Sequence, residues 1–262
     1  MTRVEAITVD FGNTLVPVPA GGLRTVVDRT ARAMAARLGP FEAEDVRRLW
    51  AEERERQFRE ELPRFREVDM AQRIARILAR LRGMGAPPPD VRWDDEAAAR
   101  RSSPDEVMWA VDIYSGAFVA ALPPAPAAGA LLERLAARYP VAILSNWPLA
   151  ATIDRYVEAA GWAPHLVAVI VSQRVGTIKP HPAIFAAARA SLGGPDPATM
   201  LHVGDDWAAD VVGAKRAGWL AAWLAVRPDD SPLPGSERDD SVVVDLVLHD
   251  LSELEAGLAR LR

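Results

Sequence analysis

Apolar positions along the chain change their period twice. Residues 4–9 form a short apolar run with β-branched members (Val4, Ala6, Ile7, Val9). This predicts a buried strand that ends at Asp10, followed by a turn-prone Gly12-Asn13 pair. From residue 23 to 118 the spacing is helical. Leu23, Val26, Val27, Ala31, Met34 and Leu38 share one face, and Gly39-Pro40 ends that helix. Val46, Leu49, Trp50 and Phe58 are the apolar stripe of an Arg- and Glu-dense segment, 42–61. A third helix is predicted over 70–81 and a fourth over 104–121, behind Ser102-Ser103 as a cap. Pro- and Gly-rich pieces at 16–22 and 122–126 bracket the four, so the segment reads as a small helical bundle between two linkers.

Beyond the second linker, helical patterns at 130–138, 153–160, 182–192, 210–217 and 251–261 alternate with apolar runs at 140–144, 166–171, 200–203, 219–226 and 242–247. Alternation at this spacing predicts an α/β fold with a doubly wound parallel sheet. The expected organisation is a core of residues 1–19 and 123–262 with a helical insert of 20–122. The polar, Pro-containing stretch 228–240 reads as a surface loop.

Composition narrows the function. The chain has 262 residues, half of them apolar, enough for one large domain or a domain with an insert. Net charge is 31 − 36 = −5, which gives no reason to expect nucleic acid as a partner. The absence of Cys excludes disulfides, thiolate nucleophiles and thiolate zinc sites. No run is long enough to span a membrane, and the chain enters its first strand without a leader pattern, so a cytoplasmic location is expected. Only two lysines occur, Lys179 and Lys215.

Three strands end in polar residues: Asp10, Ser145-Asn146 and Asp205-Asp206. Parallel strands share one carboxyl edge, so these groups can converge on a single crevice. Lys179, in Gly176-Thr177-Ile178-Lys179-Pro180, follows a fourth strand. One lysine, several carboxylates and a small hydroxyl suit a phosphoryl group with a hard divalent cation. Taken singly, each has a structural reading: Asp10 as a turn cap, Ser145 as a turn hydroxyl, Lys179 as a surface lysine. His181 reads as a helix cap, and His165, His202 and His249 show no ligand spacing. Trp147 and Trp207 flank two of the motifs and read chiefly as packing residues.

Asp10-Phe11-Gly12-Asn13-Thr14-Leu15, Leu144-Ser145-Asn146, Lys179-Pro180 and Val203-Gly204-Asp205-Asp206 with Asp210 resemble, in this order, the four motifs of the haloacid dehalogenase (HAD) superfamily. The insert resembles the helical cap of the subgroup whose cap follows the first strand. The resemblance covers nearly the whole chain. It implies a Rossmann-like core and a Mg²⁺-dependent phosphatase of a small phosphorylated metabolite. Asp10 would be the nucleophile that forms an aspartyl-phosphate, with Ser145 and Lys179 holding the transferring group. Mg²⁺ would be bound by Asp10, the carbonyl of Gly12 and Asp205. Gly12, Asn13, Ser145, Asn146 and Lys179 would contact substrate, and Asp206 and Asp210 would sit behind them or orient Lys179.

One position departs from the pattern. Phosphatases of this superfamily usually carry a second Asp two residues after the nucleophile, where this chain has Gly12. That Asp protonates the leaving group, help commonly worth about 10²–10⁴-fold. Its loss implies a substrate with a good leaving group, an acid from the cap or substrate, or slow turnover. Haloacid dehalogenases also lack it, but they usually lack the carboxylates found here at Asp205 and Asp206. Phosphonoacetaldehyde hydrolases need a cap lysine, and residues 20–124 contain none. The alternatives are a 2-haloacid dehalogenase and an impaired member that binds a phosphorylated ligand without turnover.

Overall fold

In the computed structural model, which describes residues 4–261, six parallel strands form one sheet. They are β1 (Ala6–Val9), β2 (Val141–Ser145), β3 (Ala168–Val171), β4 (Met200–Gly204), β5 (Leu220–Leu224) and β6 (Leu246–Leu248). Their order is β3-β2-β1-β4-β5-β6. Every residue of β1, β2 and β4 is buried, as expected of central parallel strands covered on both faces. The order reverses beside β1, the place where open α/β sheets bind ligands. Asp10 N donates to Val203 O at 2.8 Å, which continues the β1–β4 ladder one residue beyond the strand and fixes where Asp10 begins.

Helices α1 (Ala20–Leu38), α2 (Ala43–Glu61), α3 (Met70–Leu81), α4 (Asp95–Ala99) and α5 (Pro104–Ala121) follow β1. Two expectations need correction here. The first linker is shorter than 16–22, because Pro19 occupies the extended N-cap and the helix begins at Ala20. The insert has five helices, not four. α4 is a five-residue helix capped by Asp94, which accepts from Ala97 N at 2.9 Å, and is too short to show a helical period. α5 starts as the pattern predicts. Ser103 and Glu106 form a capping box, and Pro104 stands in the first turn.

The remaining helices alternate with the strands: α6 (Ala128–Ala136), α7 (Ala150–Ala159), α8 (Ser172–Val175), α9 (Pro182–Ser191), α10 (Gly213–Arg216) and α11 (Leu254–Arg260). The segment expected as one helix over 210–217 is a π-turn over Trp207–Val212 that runs into α10.

The insert and the sheet share apolar packing. Phe118 of α5 lies 5.1 Å from Trp147 and 6.2 Å from both Phe11 and Tyr156, between ring centroids. The two chain crossings are also tied together. Ala125 N donates to Leu15 O at 2.9 Å, and Tyr156 Oη to Leu122 O at 2.7 Å. No helix among the described residues is long and apolar enough to cross a membrane.

Candidate active site

Lys179 organises the charges at the carboxyl edge of the sheet. It is 2% exposed, and its Nζ donates to Asp10 Oδ1 at 2.7 Å, Asp210 Oδ1 at 2.7 Å and Leu144 O at 2.8 Å. All three ammonium protons are therefore used. Burial alone would lower its pKa, but Asp10 and Asp210 outweigh that and raise it. Asn146 holds the lysine's backbone from both sides: its Oδ1 accepts from Lys179 N at 2.7 Å and its Nδ2 donates to Lys179 O at 3.0 Å. Its side-chain amide is thus occupied by the protein.

Asp210 sits beneath the pair with both oxygens engaged. Oδ1 accepts from Lys179 and from His202 Nε2 at 3.0 Å, and Oδ2 accepts from Asp206 N at 2.8 Å. Burial would raise its pKa, but Lys179 and His202 hold it below the ordinary carboxylate range. Gly204 makes this approach feasible, since a Cβ there would lie 2.2 Å from Asp210 Cγ. His202 is 1% exposed and bonds Thr8 Oγ1 at 2.8 Å through Nδ1. Burial, with Lys179 nearby, lowers its pKa and favours the neutral imidazole. Sequence reasoning missed this role. The usable signal is a histidine on a strand otherwise apolar, two residues before Gly204.

Carboxylate oxygens of Asp10, Asp205 and Asp210 lie within 4.8 Å of one another. Two like unit charges at that range repel by about 3–4 kcal/mol at an effective dielectric near 20. Burial raises the Asp10 pKa despite Lys179. Asp205 is pushed up to about 8 by burial first, then by Asp10 and Asp210, with Arg227 opposing. Among the described residues its oxygens have only long contacts, to Thr14 Oγ1 at 3.4 Å and Arg227 Nη1 at 3.4 Å. Asp10 Oδ2 and Asp205 are thus the oxygen donors left open, a hard set that fits a small divalent cation. Asp206 is otherwise employed: its Oδ1 accepts from Ala209 N at 2.7 Å and Ser236 Oγ at 3.0 Å.

Asn13 takes the left-handed conformation (φ 57°), which Asn tolerates, and turns the chain back after β1. Its Oδ1 accepts from Val18 N at 3.1 Å, and its Nδ2 donates to Ser231 Oγ at 3.0 Å. Ser145 is 1% exposed, closes β2 and lines the cavity. His181 caps α9, its Nδ1 accepting from Ala183 N at 3.2 Å.

The segment 228–240 is more than a surface loop. Ser231 meets Asn13, Ser236 meets Asp206, and Leu233 sits over Gly12. A Cβ at Gly12 would lie 2.8 Å from Leu233 Cδ1 and 3.2 Å from Trp147 Cζ3. The position of the usual second Asp is therefore filled by two apolar side chains. The signal was a lone leucine between Pro232 and Pro234 in polar sequence.

Between this edge and the inserted helices lies a cavity of about 300 Å³. Asp10, Lys179 and Asp205 line one wall, and Trp50, Arg54, Glu67, Arg73 and Tyr114 another. Burial pushes the Glu67 carboxyl up to about 7. Its oxygens accept from Ser172 Oγ at 2.5 Å and Val68 N at 2.9 Å.

A doubly wound parallel sheet with this polar edge and an inserted helical bundle places the chain in the Rossmann-like α/β class. The profile of haloacid dehalogenase-like hydrolases matches residues 4–218, and the chain belongs to that family. Pyrimidine 5'-nucleotidase YjjG of Escherichia coli is 29% identical over 109 residues, 42% of this chain and 48% of that protein. Phosphoserine phosphatase of Thermus thermophilus is 42% identical over 74 residues, 27% of this chain and 29% of that protein. These matches span half or less of either relative. A 2-haloacid dehalogenase from Pseudomonas syringae shares the fold with a TM-score of 0.69 at 23% identity, covering 99% of this chain and 100% of that one.

Proposed function

We propose that this chain is a Mg²⁺-dependent phosphatase of a small phosphorylated metabolite, with Asp10 as nucleophile. The observation that carries the reading is the carboxylate cluster of Asp10, Asp205 and Asp210 set around a single lysine. Three carboxylates against one ammonium leave an excess of negative charge where a phosphoryl dianion must approach. A divalent cation held by Asp10, Asp205 and the Gly12 carbonyl would offset that charge and polarise the phosphoryl oxygens. Asp10 attacks phosphorus, and the ester oxygen departs as an aspartyl-phosphate forms. Lys179, oriented by Asp210 and Asn146, and the Ser145 hydroxyl hold the phosphoryl oxygens. Residues 20–122 act as a cap on a core of 1–19 and 123–262, excluding water and selecting the substrate.

With Leu233 and Trp147 over Gly12, no carboxyl stands at residue 12 to protonate a leaving oxygen. The favoured substrates therefore have good leaving groups, acyl or aryl phosphates before alkyl phosphates. The same feature supports a second reading, halide displacement from a 2-haloacid, which needs no proton. The open oxygens of Asp10 and Asp205 favour the metal-dependent reading over it.

The test is hydrolysis of p-nitrophenyl phosphate and acetyl phosphate, with Mg²⁺ and with chelator, beside Asp10→Asn. The expected result is Mg²⁺-dependent turnover that falls by at least about 10³-fold in the variant. Metal-independent halide release, with no turnover of either phosphate, would establish the second reading instead.

A further inference from the structure

The inserted helices are rich in arginine, and nearly all of those buried guanidinium groups are satisfied by the protein. Arg56 donates to the carbonyls of Pro87 at 2.7 Å and Pro88 at 3.2 Å. Arg76 pairs with Glu60 at 3.1 Å and Asp95 at 2.7 Å, and Arg80 with Glu52 at 2.6 Å and Glu53 at 2.9 Å. Arg73 differs. It is 3% exposed and lines the cavity, yet only its Nε is engaged, on Gln57 Oε1 at 2.8 Å. Nη1 and Nη2 have no acceptor among the described residues. A largely buried guanidinium without an ion-pair partner is costly to hold, and an anion entering the cavity would offset that cost.

Its neighbours make the same case. Tyr114 is 4% exposed, stacks on Trp50 with ring centroids 5.5 Å apart and lines the cavity, and its hydroxyl has no partner among the described residues. Arg54, on the same wall, donates to Pro232 O and lies over the Phe58 ring. Glu67 is the carboxyl of this wall, but it is held by Ser172 and Val68 and not by Arg73. Burial pushes its carboxyl up to about 7, and Glu53, the other carboxylate near Arg73, is engaged by Arg80 and Trp93. The wall facing Asp10 and Lys179 thus presents unused donors and positive charge.

We infer that Arg73 and Tyr114 form a carboxylate-binding subsite, so that the substrate carries a carboxylate at the end remote from its phosphoryl group. The inference rests on the phosphatase reading for the other end of the substrate. Arg73 has its Nε committed and offers the Nη1–Nη2 edge, a planar two-pronged donor that matches a carboxylate. The Tyr114 hydroxyl supplies a further donor. A cavity of about 300 Å³ has room for a small metabolite that carries both groups.

The test uses non-hydrolysable probes, so it reads binding whether or not the protein turns over. Phosphonoacetate, 3-phosphonopropionate and 4-phosphonobutyrate are titrated by calorimetry in Mg²⁺, each beside the alkylphosphonate of equal length without the carboxylate. At least one carboxylated member is expected to bind about tenfold or more tighter than its match. Arg73→Met should bring that ratio to within about threefold, Arg73→Lys should keep part of it, and Tyr114→Phe should reduce it. Equal affinities within every pair of the wild-type protein, or no binding of any probe, overturns the inference, and this outcome needs no variant to fold. Tighter binding of propane-1,3-bisphosphonate than of 3-phosphonopropionate would overturn the carboxylate assignment. Failure of p-nitrophenyl phosphate turnover alongside intact discrimination would count against the phosphatase reading and not against the subsite.

Discussion

Gly12 and Asp205 each set a limit on the chemistry that can be measured. Gly12→Asp alone must push aside Leu233 and the Trp147 ring, which lie 2.8 and 3.2 Å from the added Cβ. Overpacking of this kind costs about 1–3 kcal/mol, so the single variant should unfold earlier in urea without gaining activity. Gly12→Asp with Leu233→Ala makes room, and its turnover of alkyl phosphates should rise by about tenfold or more relative to wild type. Unchanged alkyl phosphate turnover in a folded double variant would show that the acid at residue 12 is not what limits the protein. Asp205 governs the pH response. Its folded pKa is about 8 against an ordinary 3.8, so the native state holds the extra proton across that window. Stability in chelator should therefore fall as pH rises from about 5 to 8. A ligating carboxylate must be ionised, so protection by Mg²⁺ in thermal melts should grow over the same range. Protection that stays flat between pH 6 and 8 would contradict the assignment of Asp205.

At the scale of elements, the insert is held by packing more than by its caps. Phe118 is fully buried among Phe11, Trp147 and Tyr156, so Phe118→Ala should cost about 3–5 kcal/mol in urea unfolding. Ser103→Ala removes one side of a capping box at an exposed helix start and should cost only about 0.5–2 kcal/mol. Strands, long helices and their order were legible in the chain because period and punctuation agree there: α3 and α5 begin and end where the sequence places them. α4 and the π-turn were not, because neither is long enough to establish a period. In the site, Asp10, Ser145, Lys179 and Asp205 could be brought together on paper since parallel strands share an edge. Leu233, Glu67 and Arg73 could not, because nothing local says which side chain of a loop or helix bundle faces that edge.

Across the whole molecule, one cavity is assembled from pieces far apart in the chain. The sheet edge supplies Asp10, Ser145, Lys179 and Asp205, the insert supplies Arg73 and Tyr114, and the connection from β5 to β6 supplies Leu233 and Ser236, with Arg227 against Asp205 and Ser231 against Asn13. The position of Leu233 over Gly12 also bears on how such a protein can change over generations. An Asp at residue 12 is one nucleotide away from many glycine codons, yet that change meets a wall built 221 residues downstream. A smaller side chain at Leu233 removes that obstacle, but the step brings no new chemistry by itself. Acquisition of a proton donor at residue 12 is thus tied to a second substitution far along the chain, and either change made alone has a cost in stability and no gain in activity.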